Sequence, residues 1–167
     1  VIDLDPADKV PFKRVKSAAR LVRDVLSAGA VTSFPLLTGG KGIHVVAPLD
    51  QTRPWSEVTA FARALADRLA RAQPALFTAR ATKARRTGRI CVDWQRNREA
   101  ATAIAPWSLR ARPGAPVACP VSWEELSRID SASAYDLVRA RRRITALKRD
   151  PWEGYGQMRQ NVPDLLD

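Results

Sequence analysis

A glycine-rich turn, Thr38-Gly39-Gly40-Lys41-Gly42, separates two short apolar runs, 33–37 and 43–48, and forces the chain back on itself. Glycine tolerates the backbone angles of a tight reversal, and apolar runs on either side of such a turn read as a hairpin. The hairpin lies between two helical stripes. From about Pro11 to Ala28 the apolar positions are Phe12, Val15, Ala18, Ala19, Val22, Val25 and Leu26, with Gly29 as the stop. After Pro54, a first-turn proline, the stripe is Trp55, Val58, Phe61, Ala62, Leu65 and Leu69. Two further strands flank this unit. Val1 to Leu4 puts Asp3 and Asp5 on one face and Ile2 and Leu4 on the other, and Asp5-Pro6 ends it. Gly88 to Gln95 turns Ile90, Val92 and Trp94 one way and Cys91 and Asp93 the other. Strands and helices alternate loosely, so the fold class is α/β (α+β) with a mixed sheet.

The rest of the chain is less regular. Thr102 to Cys119 reads as irregular strands. Ser122 and Glu125 form a capping box at the start of a short helix, and 136–148 reads as helical. From about 150 to 167 a loosely packed tail is expected. A chain of 167 residues supports one domain, 1–167, with a sizeable core. No stretch approaches the roughly 20 apolar residues of a membrane helix, so no membrane partner is expected. The first residues carry Asp3, Asp5 and Asp8 and do not read as a signal peptide. Cys91 and Cys119 lie in apolar surroundings and read as reduced core residues of a cytosolic protein.

The acids carry the first chemistry. Two carboxylates two apart on a strand point the same way and repel unless a cation lies between them. Mg²⁺ or Mn²⁺ is suited to that place, because hard cations take carboxylate oxygens. Asp93 is an acid within the apolar run Ile-Cys-Val-Asp-Trp. Three acids on one sheet face can hold a two-metal site for in-line phosphoryl transfer. The plainer alternative is that Asp3 and Asp5 face solvent and cap a turn before Pro6.

The turn carries the second. Glycine N–H groups can form an anion nest, with the Thr38 hydroxyl, the Lys41 charge and His44, the only histidine, close by. No Ser or Thr follows the Gly-Lys pair, and a strand follows it, so this is not a P-loop. A plain hairpin turn with a core histidine is the alternative. Lys and Arg number 28 against 17 acids, a net charge of +11, which suits a polyanionic partner. Lys83, Arg85 and Arg86 precede the Asp93 strand; Arg96 and Asn97 follow it; Arg110 and Arg112 come later. They can clamp a triphosphate or track a nucleic-acid backbone, or they form a solvated face. Arg141, Arg142, Arg143 and Lys148 read as a solvated face or a weak phosphate-backbone contact.

With these residues in hand, the chain resembles the polymerase domain of bacterial non-homologous end-joining DNA ligases, the ligase D group, in the archaeo-eukaryotic primase superfamily. Four segments carry the resemblance: Ile2-Asp3-Leu4-Asp5-Pro6, Leu37 to Val45, Val92-Asp93-Trp94-Gln95-Arg96-Asn97, and Ala105 to Arg112. Their order and spacing also fit, as does the segment Pro120 to Leu126. The resemblance implies an RRM-like primase-polymerase core, a mixed, mostly antiparallel sheet flanked by helices. It implies that Asp3, Asp5 and Asp93 are the metal-binding catalytic acids. Thr38 and His44 are implied at the incoming nucleotide's phosphates, with Arg86, Arg96 and Arg110 at the nucleotide or its triphosphate. Lys83 and Arg85 are implied as DNA contacts.

The implied activity is template-guided transfer of a nucleotide, by preference a ribonucleotide, to a DNA 3′-hydroxyl at broken ends, with Mn²⁺ or Mg²⁺ as cofactor. The implied partners are primer-template DNA ends, nucleoside triphosphates, Ku and an attached ligase domain, in the bacterial cytoplasm at the nucleoid. The family's domain extends upstream of the Asp-x-Asp strand, so the chain is expected to be its C-terminal portion, from a longer ligase or a split protein. Two rivals stand beside this reading. One is a nucleic-acid-binding module without catalysis; the other is a glycosyltransferase using Asp-x-Asp for a metal-bound nucleotide sugar.

Overall fold

The computed structural model describes residues 1–80, 82 and 86–163. Lys83 and Arg85, expected as DNA contacts, lie outside the described residues. The strands are β1 (Ile2–Pro6), β2 (Phe34–Leu37), β3 (Ile43–Val46), β4 (Phe77–Thr78), β5 (Ile90–Asp93) and β6 (Cys119–Pro120); the helices are α1 (Phe12–Ala28), α2 (Trp55–Ala72) and α3 (Leu137–Ala146). The strands form one six-stranded sheet in the order β4-β5-β1-β3-β2-β6. Only β4 and β5 pair in parallel, so the sheet is mixed and mostly antiparallel, as expected. No helix among the described residues is long and apolar enough to cross a membrane.

The period-2 reading of β1 holds. Ile2 and Leu4 are buried, while Asp3 and Asp5 are partly exposed on the other face. The buried face carries Ile2, Leu4, Ile43, Val45, Ile90 and Val92, which pack with Val15, Ala19 and Val22 of α1 and Phe61, Leu65 and Leu69 of α2. Fully burying an aliphatic side chain of this size contributes roughly 1.5–3 kcal/mol, so this layer is what fixes the strands. The strand runs past Leu4 through Asp5 and ends at Pro6, which still pairs with Ile90. Ala7 N–H donates to the Arg89 carbonyl, so the ladder's alternation turns Pro6 away from β5. On that other side β3 has already stopped at Leu4, so the missing proline N–H costs no ladder bond.

Other boundaries moved. Trp55 is 55% exposed, so the inward stripe of α2 begins at Phe61 and takes in Ala66. Gly29 has φ −90°, and the left-handed residue that ends α1 is Ala30 at φ 58°. Ala30 N–H donates to the Ser27 carbonyl and Val31 N–H to the Leu26 carbonyl, a Schellman arrangement. The capping box forms as expected: Ser122 N–H donates to Glu125 at 2.9 Å, and Glu125 N–H donates to the Ser122 hydroxyl at 3.1 Å. It opens a 3₁₀ turn, Glu125–Arg128, instead of an α-helix.

The described part of the tail, 150–163, is packed, against the expectation of loose packing. Trp152 is buried, donates to the Pro35 carbonyl at 3.0 Å, and stacks on Tyr155 at 5.1 Å. With Phe34, Leu36, Val46 and Ala118 it forms a second, smaller core. The cross-strand register sets Phe34, Leu36 and Val46 on the same sheet face as His44 and Asp3. The face away from α1 and α2 is thus divided between this apolar cluster and the carboxylates. Arg143 also departs from its expected role. It grips both Glu125 oxygens, at 2.6 and 2.9 Å, and lies over the Tyr135 ring, so it ties α3 to the capped turn.

Candidate active site

The sheet register brings the acids together. Asp3 stands opposite Asp93 across β1 and β5, and opposite His44 across β1 and β3. Asp5 stands opposite Cys91, so all these side chains share one face. Beside them lies an open cleft of about 780 Å³. Of the expected site residues, Asp3, Asp5, Thr38, His44, Arg86, Arg96 and Arg110 line it. Asp93 is not in that lining, and it joins the site through Asp3 and Arg96.

Each carboxylate faces an arginine. Arg86 pairs with Asp5. The Arg96 Nε lies 3.7 Å from Asp3 and 3.6 Å from Asp93, between the two. Arg96 follows the strand in a 3₁₀ turn, Gln95–Asn97, which the Asp93 carboxylate caps by accepting from Gln95 N–H at 2.8 Å. Buried Asn97 pins this turn by donating to the Val1 and Trp94 carbonyls at 2.7 and 2.8 Å. The other end of the Arg96 guanidinium donates to the Thr102 carbonyl at 3.2 Å.

The glycine turn forms the opposite wall. The Thr38 hydroxyl donates to the Gly42 carbonyl at 2.9 Å and accepts from Gly40 N–H at 3.3 Å, so it laces the turn shut. Gly42 is required, because a Cβ there would run into the Leu4 carbonyl of β1. Gly39, at φ +68°, has Arg110 packed against it: a Cβ would meet the Arg110 Cγ at 2.8 Å. Arg110 then donates to the Thr38 carbonyl at 2.9 Å, which aims it along the turn. His44 is buried, with Nε2 3.5 Å from Asp3. Its Nδ1 has no hydrogen-bond partner among the described residues.

Among the described residues no three of the acid, histidine or cysteine side chains converge as a ready-made metal cluster. By type, the carboxylates are the oxygen donors that a hard divalent cation takes. The donor set consists of three carboxylates on one face, two of them opposed in register, with their repulsion offset here by guanidinium groups. Beside them on β5, burial pushes the Cys91 thiol up to about 11, which keeps it neutral.

Sequence reasoning passed over two contributors. Asp8 lines the cleft and pairs with Lys41. No local signal marks that pairing, because the partners are 33 residues apart. Thr102, Ala103 and Ile104 also line the cleft, in a segment whose sequence shows no period.

Comparison with known proteins identifies the family and the fold. Residues 1–152 match the family model described as LigD, primase-polymerase domain. The chain is 38% identical over 163 residues to the multifunctional non-homologous end joining protein LigD of Pseudomonas aeruginosa, covering 97% of this chain and 19% of that protein. It is 42% identical over 126 residues to the multifunctional non-homologous end joining DNA repair protein LigD of Mycobacterium tuberculosis, covering 75% of this chain and 17% of that protein. The chain therefore spans only a small part of the length of these relatives. Among solved structures it is similar to the polymerase domain from Mycobacterium tuberculosis ligase D in complex with DNA. The TM-score is 0.85 at 35% identity, over 97% of this chain and 55% of that one. The chain belongs to the LigD primase-polymerase domain family.

Proposed function

We propose that this chain is the catalytic part of a DNA-directed nucleotidyltransferase that adds nucleotides, ribonucleotides by preference, to DNA ends in non-homologous end joining. The observation that carries the reading is the register: Asp3 opposite Asp93, with Asp5 on the same face, beside a cleft lined by Arg86, Arg96 and Arg110. The polymerase domain from Mycobacterium tuberculosis ligase D was solved in complex with DNA, which supports DNA as the second substrate. The net charge of +11 suits a polyanion.

In this reading Asp3, Asp5 and Asp93 hold Mn²⁺ or Mg²⁺. The chemistry such cations supply is a lowered pKa for the attacking 3′-hydroxyl and an offset to charge on the leaving pyrophosphate. The 3′-oxygen forms a bond to the α-phosphorus, the bond from that phosphorus to the bridging oxygen breaks, and the hydroxyl proton passes to solvent. The chain's own residues orient and balance charge. Arg96 and Arg110 line the cleft and supply positive charge for the triphosphate. His44 is held against Asp3, and the anion nest expected of the turn does not form at its first two glycines, because Gly39 N–H donates to the Ala132 carbonyl and Gly40 N–H to the Thr38 hydroxyl. The partners proposed are primer-template ends, Ku and a ligase domain, in the bacterial cytoplasm.

The test is Asp93→Ala in a protein carrying the whole domain, assayed for extension of a primed template with Mn²⁺. Extension is expected to be lost, and extension at the unchanged rate would overturn the assignment. The rival, a DNA-binding module without catalysis, draws on the arginines that already neutralise the acids. It predicts DNA binding with no metal-dependent nucleotide binding, which calorimetry separates.

A further inference from the structure

We infer that Arg96 is a built-in counter-cation for the Asp3–Asp93 pair, holding the place of a divalent cation and setting how tightly that cation binds. The inference rests on the reading of these acids as cation ligands, and adds a competitor for them that belongs to the chain itself.

Two carboxylates directly opposite on neighbouring antiparallel strands lie close enough to destabilise each other. Here neither moves aside, because each backbone is locked in the sheet register and the layer beneath is fully buried. The Arg96 Nε lies nearly equidistant from them, at 3.7 and 3.6 Å. Its side chain is 41% exposed, against 15% for Asp3 and 21% for Asp93, so the guanidinium is the most solvent-accessible of the three groups. The position is built and not casual. Asp93 caps the turn that carries Arg96, Asn97 anchors that turn to Val1, next to β1, and Thr102 holds the far end of the guanidinium.

A cation approaching Asp3 and Asp93 from the cleft has to displace this group. Arg96 lines the same cleft, so once displaced it faces the volume in which a triphosphate is proposed to bind. A nucleotide offers the freed guanidinium a bidentate partner, and therefore favours the cation-bound arrangement. By linkage, the cation favours the nucleotide by the same factor. Arg96 thereby acts as a positioning residue that couples the two. Lysine cannot replace it fully, because a point charge on a flexible stem does not span two carboxylates as a planar fork does.

The experiment compares wild type, Arg96→Gln and Arg96→Lys in a protein carrying the whole domain. Mn²⁺ alone is titrated by calorimetry, and the metal-free proteins are melted in parallel. Arg96→Gln is expected to bind Mn²⁺ about tenfold more tightly, the scale of two partly exposed ion pairs removed together. Its metal-free form is expected to melt below wild type, with Mn²⁺ closing the gap. Arg96→Lys is expected to fall between them, and it carries the test if the glutamine variant does not fold. Wild-type Mn²⁺ binding with unchanged or weaker binding in both variants overturns the inference and leaves the proposed function standing. No Mn²⁺ binding in wild type or in either variant overturns both.

Discussion

Replacing Gly42 with alanine tests whether the glycine turn is shaped by the strand beneath it. The added Cβ would collide with the Leu4 carbonyl oxygen and stand 3.3 Å from its carbon. That obstacle is backbone in the middle of β1, paired on both sides, so it cannot swing away as a side chain would. The turn must lift instead, and lifting it stretches the Thr38 hydroxyl bond to the Gly42 carbonyl. Overpacking of this kind costs about 1–3 kcal/mol, and the strained hydrogen bond adds about 0.5–1.5 kcal/mol. For a domain of this length the sum lowers Tm by roughly 5–12 °C. Gly40→Ala is the internal control. Its Cβ would meet the end of the Arg112 guanidinium at 3.3 Å, a flexible group that can yield, so the expected change is within about 0.5 kcal/mol. Thermal unfolding followed by far-ultraviolet circular dichroism reads both. A Gly42→Ala melt within a degree or so of wild type, or a Gly40→Ala melt that falls as far, would refute the reasoning.

Two further expectations follow from the packing. Ala30→Gly places the residue without a Cβ where φ is 58°, and should stabilise the domain by about 0.5–1 kcal/mol, read as a higher denaturant midpoint at unchanged slope. The Arg143 hydrogen bonds hold Glu125 below the ordinary glutamate value, so its contribution is fully present above that value and is lost as pH falls through the lower folded one. Glu125→Gln should therefore cost on the order of 1 kcal/mol at neutral pH, discounted for partial exposure, and the gap to wild type should close as acidification protonates the Glu125 carboxylate; a gap that is constant with pH counts against the pair.

The helices and the faces of β1 were readable because they repeat. Val15, Ala19, Val22 and Leu26 return at helical spacing, and Asp3 and Asp5 alternate with Ile2 and Leu4. The capping box at Ser122 and Glu125 was readable for the same reason, since its partners are three residues apart. β4 and β6 have two residues each, too few to show any period, and they exist because β5 and β2 present edges to them. Trp152 lies in a segment without pattern. Its burial depends on Pro35, 117 residues away, offering a carbonyl beside an apolar hollow.

The candidate site divides along the same line. From the sequence alone came the residue types and their faces: hard-oxygen acids on one side of β1 and β5, a glycine turn, and arginines on both sides of the Asp93 strand. Which arginine meets which acid came only with the tertiary structure. Arg96 stands between Asp3 and Asp93, Arg86 holds Asp5, and the Thr38 hydroxyl spends its proton inside its own turn. The physical reason is that periodicity is local, while these pairings depend on strand order and register. A one-residue slip of β1 would have put Asp3 and Asp5 on the buried face, and the packed layer of α1 and α2 opposes that slip.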